Sequence, residues 1–87
     1  MKITHEFIKR EIAGDHFLVP VGASAKTFNG LFAMTELGAF IWALIPEAES
    51  EEAIVEKILE EYDVTKETAA RDTAEFLEKL KSMGVLE

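Results

Sequence analysis

Between Thr27 and Pro46 the chain reads TFNGLFAMTELGAFIWALIP, a short apolar strand that runs through Thr35 straight into an apolar helix. A threonine at such a junction caps the helix by accepting from its first free N–H groups, and Glu36 behind it complements the helix dipole. Strand and helix are thereby held at one angle, and the rest of the chain has to pack around that corner. Leu37, Phe40, Ile41, Leu44 and Ile45 recur at helical spacing until Pro46 stops the run. A chain of 87 residues lies near the lower end of what folds alone, so little is left to cover the strand's far side. A sheet edge left open beside the helices is the expected working surface.

Upstream of the junction the pattern is sheet. Glu6 to Ala13 carries Phe7, Ile8 and Ile12, and Gly14-Asp15 is a turn signal. His16 to Val21 alternates Phe17, Val19 and Val21 against Leu18 and Pro20. Pro20 cannot donate to a ladder, which puts it at an edge or at the end of pairing. Gly22 to Ala25 reads as loop. Asn29-Gly30 is either a tight turn between Thr27-Phe28 and Leu31-Phe32 or a bulge, followed by a short strand through Ala33.

Two more helices follow the junction helix. Ser50 caps the first of them, whose stripe is Ile54, Val55, Ile58, Leu59 and Tyr62. Thr65 or Asp63 opens the last, with Ala69, Thr73, Phe76, Leu77, Leu80 and Met83 as its stripe and Gly84 at its close. Val85 and Leu86 are expected to pack back on the core. The order β-β-β-α-α-α, three N-terminal antiparallel strands and then three helices, predicts one α+β domain of winged-helix character over residues 1–87.

Composition narrows the function. An apolar fraction of 48% is enough for a core, despite 30% charged residues. No run approaches the roughly 20 apolar residues of a membrane span. The N-terminal MKITHEFIKREIAG has charges where a signal peptide is apolar, so a cytoplasmic protein is expected, with no membrane partner. Residues 1–46 hold four acids and four bases, whereas residues 47–87 hold 13 acids and five bases. Phosphate binding rests on clustered Lys and Arg, so nucleic acid is disfavoured as a partner.

Catalytic chemistry is sparse. His5 and His16 have no second ligand at metal spacing, and with no cysteine there is no thiolate site. Gly14, Gly22, Gly30 and Gly38 are too scattered for a phosphate loop. Ser24, Ser50 and Ser82 lack a nearby base, and none sits in the Asp-Ser-Leu context of a phosphopantetheine carrier. Neither an enzyme nor a cofactor is expected.

Several segments together carry a family resemblance: Arg10-Glu11-Ile12-Ala13-Gly14-Asp15, then Thr35-Glu36-Leu37-Gly38-Ala39-Phe40-Ile41-Trp42, Ile54-Val55 with Leu59 and Tyr62, and Asp72 ahead of Phe76-Leu77, Leu80 and Gly84. In their order and spacing the chain resembles the PqqD-like family, recognition elements for the precursor peptides of ribosomally made, modified natural products. Many relatives carry Leu-Asn before the junction helix, where this chain has Ala33-Met34. The resemblance implies a non-catalytic domain that takes a leader peptide as a fourth strand between its third strand and third helix. It further implies presentation of the precursor to a modifying enzyme, commonly a radical S-adenosylmethionine maturase.

On that reading the expected peptide-binding residues are Phe28, Asn29, Gly30, Leu31, Phe32 and Ala33 on the edge. On the last helix they are Ala70, Arg71, Thr73, Leu77 and Leu80, with Arg71, Asp72, Glu75 and Lys79 as flanking charges. Backbone pairing is blind to sequence, so side-chain pockets must supply selectivity. Two other functions fit the same shape: a winged-helix DNA-binding regulator, and an enzyme-docking subunit that binds no leader. The last helix is neutral, with Lys66, Arg71, Lys79 and Lys81 against Glu67, Asp72, Glu75 and Glu78, which disfavours the DNA reading. An open edge also permits self-pairing, so a monomer or a homodimer is expected.

Overall fold

The computed structural model describes residues 1–28 and 30–86. Three antiparallel strands, β1 (Phe7–Ile12), β2 (Asp15–Pro20) and β3 (Phe32–Met34), form one sheet in the order β1-β2-β3. One helical turn, α1 (Ser24–Thr27), lies between β2 and β3. Then come α2 (Glu36–Leu44), a 3₁₀ turn at Ile45–Glu47, α3 (Glu51–Glu61) and α4 (Lys66–Ser82). The expected β-β-β-α-α-α order is present, with α1 added where a loop was expected. α1 has no side-chain cap and is too short to stand on helical pairing alone. It is held instead by buried Ser24, whose hydroxyl accepts from the Glu6 N–H at 2.9 Å.

Local chemistry explains the long elements. Thr35, Ser50 and Thr65 each cap their helix, accepting from Gly38 N at 3.0 Å, Ala53 N at 3.2 Å and Thr68 N at 3.1 Å. The β1–β2 hairpin closes through Ala13 and Gly14, at φ 52° and 87°. Two successive positive φ values in a two-residue loop make a type I′ turn, which matches the strands' right-handed twist. Such a loop pins the register, and Ile12 faces Asp15, Arg10 faces Phe17 and Ile8 faces Val19.

The register also decides which backbone groups stay free. A two-residue loop makes its flanking residues a hydrogen-bonded pair, so Ile12, Arg10 and Ile8 direct their N–H and C=O at β2. Val21 N donating to Glu6 O at 3.1 Å continues that parity. Odd-numbered residues of β2 then point at β1 and even-numbered ones at β3. Because His16 faces Met34 and Leu18 faces Phe32, those β3 residues are spent on β2. Ala33 alone within β3 turns its N–H and C=O to the outer edge.

Leu18 of the central strand, with Ile41, Trp42 and Ile45, meets Ile54, Val55 and Ile58 of α3 and Ala69, Leu77 and Leu80 of α4 in one core. The tail returns as expected: Val85 and Leu86 are buried, and Leu86 bridges Ile3. Thr4 secures it, its N–H donating to Val85 O at 2.7 Å and its hydroxyl to Gly84 O at 2.8 Å. The tail therefore joins the N-terminal segment and leaves the edge of β3 open.

Candidate functional site

A groove of about 490 Å³ runs between the open edge of β3 and the flank of α4. Its strand side is Phe32, Ala33 and Met34, and its floor is Leu18, Ile41 and Leu80. Leu37 and Gly38 close it on the α2 side, and Asp72, Glu75, Phe76, Lys79 and Met83 form the α4 wall. Wall and edge stand where a strand added to β3 would lie.

Gly38 is what lets the wall come close. A Cβ there would sit 3.2 Å from Phe76 Cε1 and 3.3 Å from the Thr35 hydroxyl, tighter than ordinary contact. The same hydroxyl caps α2, so cap, glycine and Phe76 ring are fitted as one unit. At the other side, Phe32 is fixed by rings. Phe7 and Phe28 lie 5.7 Å and 5.9 Å from it, centroid to centroid, and Phe7 contacts Trp42 at 6.1 Å. Edge-to-face and tilted contacts of this kind stabilise by about 0.5–1.5 kcal/mol each beyond the area buried. The ring cluster thus anchors the Phe32 end of this three-residue strand.

Of the sequence-expected site residues, Phe32, Ala33 and Leu80 line the groove. Phe28 packs against His5, Phe7 and Phe32 instead of facing it. Gly30 and Leu31 precede the strand and are exposed, Leu31 by 51%. Asn29 lies outside the described residues. Ala70 packs half-buried at the core margin, and exposed Arg71 sits beside Asp72, Nε to Oδ1 at 3.6 Å. Thr73 and Leu77, expected as groove wall, are 0% and 1% exposed and belong to the core.

The broad α4 stripe divides in two. Ala69, Thr73, Leu77 and Leu80 face inward, while Asp72, Phe76, Lys79 and Met83, one position round the helix, face the groove. Asp72, Glu75 and Lys79, expected as flanking charges, do line it. Phe76, expected in the core, and Met34, Leu37 and Met83 were missed; hydrophobicity marked them, but only the seating of α4 beside β3 and α2 brings them to one groove.

Chemically, the groove offers apolar surface, a free backbone pair at Ala33, two carboxylates and one ammonium. Arg71 and Asp72 form a surface pair of little energetic weight. Among the described residues no cluster of three or more His, Asp or Glu is placed to hold a metal ion. No helix among them is long and apolar enough to cross a membrane.

Residues 16–86 match the family model described as coenzyme PQQ synthesis protein D (PqqD). The solved structure of TbiB1 in complex with the TbiA(beta) leader peptide superposes with a TM-score of 0.73 at 30% identity. That match covers 100% of this chain and 95% of the other. No curated protein matches. With the family model spanning both sheet and helices, and a solved relative matched end to end, this chain belongs to the PqqD family.

Proposed function

We propose that this protein is a non-catalytic peptide-recognition domain of the cytoplasm. It captures the leader of a ribosomal precursor by strand addition to β3 and presents the precursor to a modifying enzyme of the radical S-adenosylmethionine type. The observation that carries this reading is the open edge of β3 facing an apolar wall on α4. The complex of TbiB1 with a leader peptide supports a peptide as occupant. The maturase rests on the family resemblance.

The backbone parity supports strand addition as the mode of capture. A guest strand exchanges hydrogen bonds with Ala33, and the guest residue opposite Ala33 turns its side chain to the outer face of the sheet. Its two neighbours drop into the groove. One meets Phe32, Leu80 and Met83, and the other meets Met34, Leu37 and Phe76. The recognised segment is therefore an apolar–x–apolar strand, with Asp72, Glu75 and Lys79 reading charges beside it. A methionine on each side of the groove, Met34 and Met83, lets it adapt to differing aliphatic or aromatic anchors.

Two anchors at about 1.5–3 kcal/mol each, offset by the cost of ordering a flexible peptide, give a dissociation constant of about micromolar order. The test uses labelled peptides selected from a displayed library for binding to the domain. Anisotropy titrations against the isolated protein should yield the apolar–x–apolar pattern and lose affinity in Ala33→Pro. Selected peptides without that pattern, or unaffected by the Ala33 change, would refute strand addition.

A further inference from the structure

The sheet has a second free edge, on β1, and its sequence is complementary to itself. We propose that two copies of this chain pair antiparallel through β1, Ile8 opposite Ile12 of the second copy, Lys9 opposite Glu11, and Arg10 opposite Arg10. The backbone parity allows this register and selects it. Ile8, Arg10 and Ile12 spend their N–H and C=O on β2, so Lys9 and Glu11 turn theirs outward. An antiparallel pairing that hydrogen-bonds Lys9 to Glu11 of the second copy satisfies those groups in both directions.

The side chains agree on both faces. Directly opposite residues share a face, so Lys9 and Glu11 meet as opposite charges, twice by symmetry. On the other face Ile8 and Ile12, exposed by 37% and 53%, cover one another across the junction. Ile8 already faces half-buried Val19 on its own sheet. The paired copies thus extend an apolar row that a single copy leaves partly wet.

Electrostatics leaves this edge approachable. The chain carries a formal charge of −8, and residues 1–46 contribute none of it. The excess sits on the helical half of the sequence. One contact opposes pairing: the two Arg10 side chains meet on the two-fold axis. The interface is small, so the dimer is weak and appears only at high concentration. Pairing through β1 leaves both β3 edges free.

Sedimentation equilibrium of the full chain from about 20 µM to about 1 mM reads the association. Wild type should dimerise progressively over that range. Lys9→Glu and Glu11→Lys each place like charges opposite one another at both symmetric positions and should weaken the dimer about tenfold. An equimolar mixture of these two single variants should regain wild-type association, as should the double variant carrying both changes. Arg10→Thr should tighten the dimer about threefold. All three positions are exposed, and circular dichroism checks that each variant folds. A monomer at about 1 mM, single variants that associate like wild type, or charge reversals that no mixture rescues would each overturn the proposal. Loss of association in Ala33→Pro would also overturn it, by moving the contact to β3.

Discussion

The sheet ends in two free edges, β1 and β3, that expose the same backbone chemistry and differ in what stands beside them. β3 is a three-residue strand with a single outward pair, at Ala33, yet an apolar wall on α4 faces it across a groove. β1 is twice as long and carries Lys9, Arg10 and Glu11, and its burial pattern is exposed from Ile8 onward. Edge backbone by itself attracts any extended chain, which is why natural edges carry charges. At β3, on the proposed function, the wall converts that general stickiness into selection of side chains. At β1, on the proposed pairing, charge does the selecting, and the complementary charges lie on the strand itself.

The largest expected effect comes from removing what holds the β3 wall up. Leu77→Ala leaves a cavity beneath α4 and should cost about 2–5 kcal/mol of stability. Chemical denaturation reads that loss, while peptide affinity of the still-folded fraction should stay within about twofold. Next comes the edge itself. Ala33→Pro removes the outward N–H without touching a β2 hydrogen bond and should weaken peptide binding by about tenfold to a hundredfold, with the fold retained. Phe76→Ala, which strips the wall but spares the edge, should weaken the same peptides by about tenfold. Calorimetric titration of these two variants separates backbone from side-chain recognition.

Smaller effects sharpen the contrast. The Thr73 hydroxyl is buried without a hydrogen-bond partner among the described residues. Thr73→Val should therefore raise stability by about 1 kcal/mol and leave peptide affinity unchanged, whereas a Thr73 that touched the guest would alter affinity. Ala13 holds a positive φ at 52° in the hairpin loop beside β1. Ala13→Asn should raise the unfolding midpoint by a few degrees, about 0.5–1 kcal/mol, with no change at the β3 groove.

Much of this architecture was legible in the residues alone. Thr35 and Ser50 announced their helix starts, and Thr65 was one of two candidates for the last, because capping chemistry is local. Pattern placed β1 and β2 within a residue or so of their observed bounds. The wall was less legible, for a geometric reason. Successive residues of a helix lie 100° apart, so Phe76 and Leu77 fall on different faces although both are apolar neighbours in one stripe. Which of them meets the core depends on how α4 seats against α2 and α3, and that follows from packing across the whole domain. The start of β3 was misjudged similarly, since Phe28 is drawn into the ring cluster with Phe7 and Phe32. α1 was invisible because a buried serine bonding to Glu6 leaves no periodic trace.

The central claim is that a guest peptide pairs with the backbone of Ala33 and packs against α4. Amide-shift mapping with a library-selected peptide, followed by hydrogen exchange on the complex, tests it directly. Shifts should concentrate at Phe32–Thr35 and Asp72–Met83, and the Ala33 amide, free in the unbound domain, should become protected by about a hundredfold or more. Saturable binding that leaves Ala33 exchanging at its free rate, with shifts centred on β1 or α3, would contradict the account.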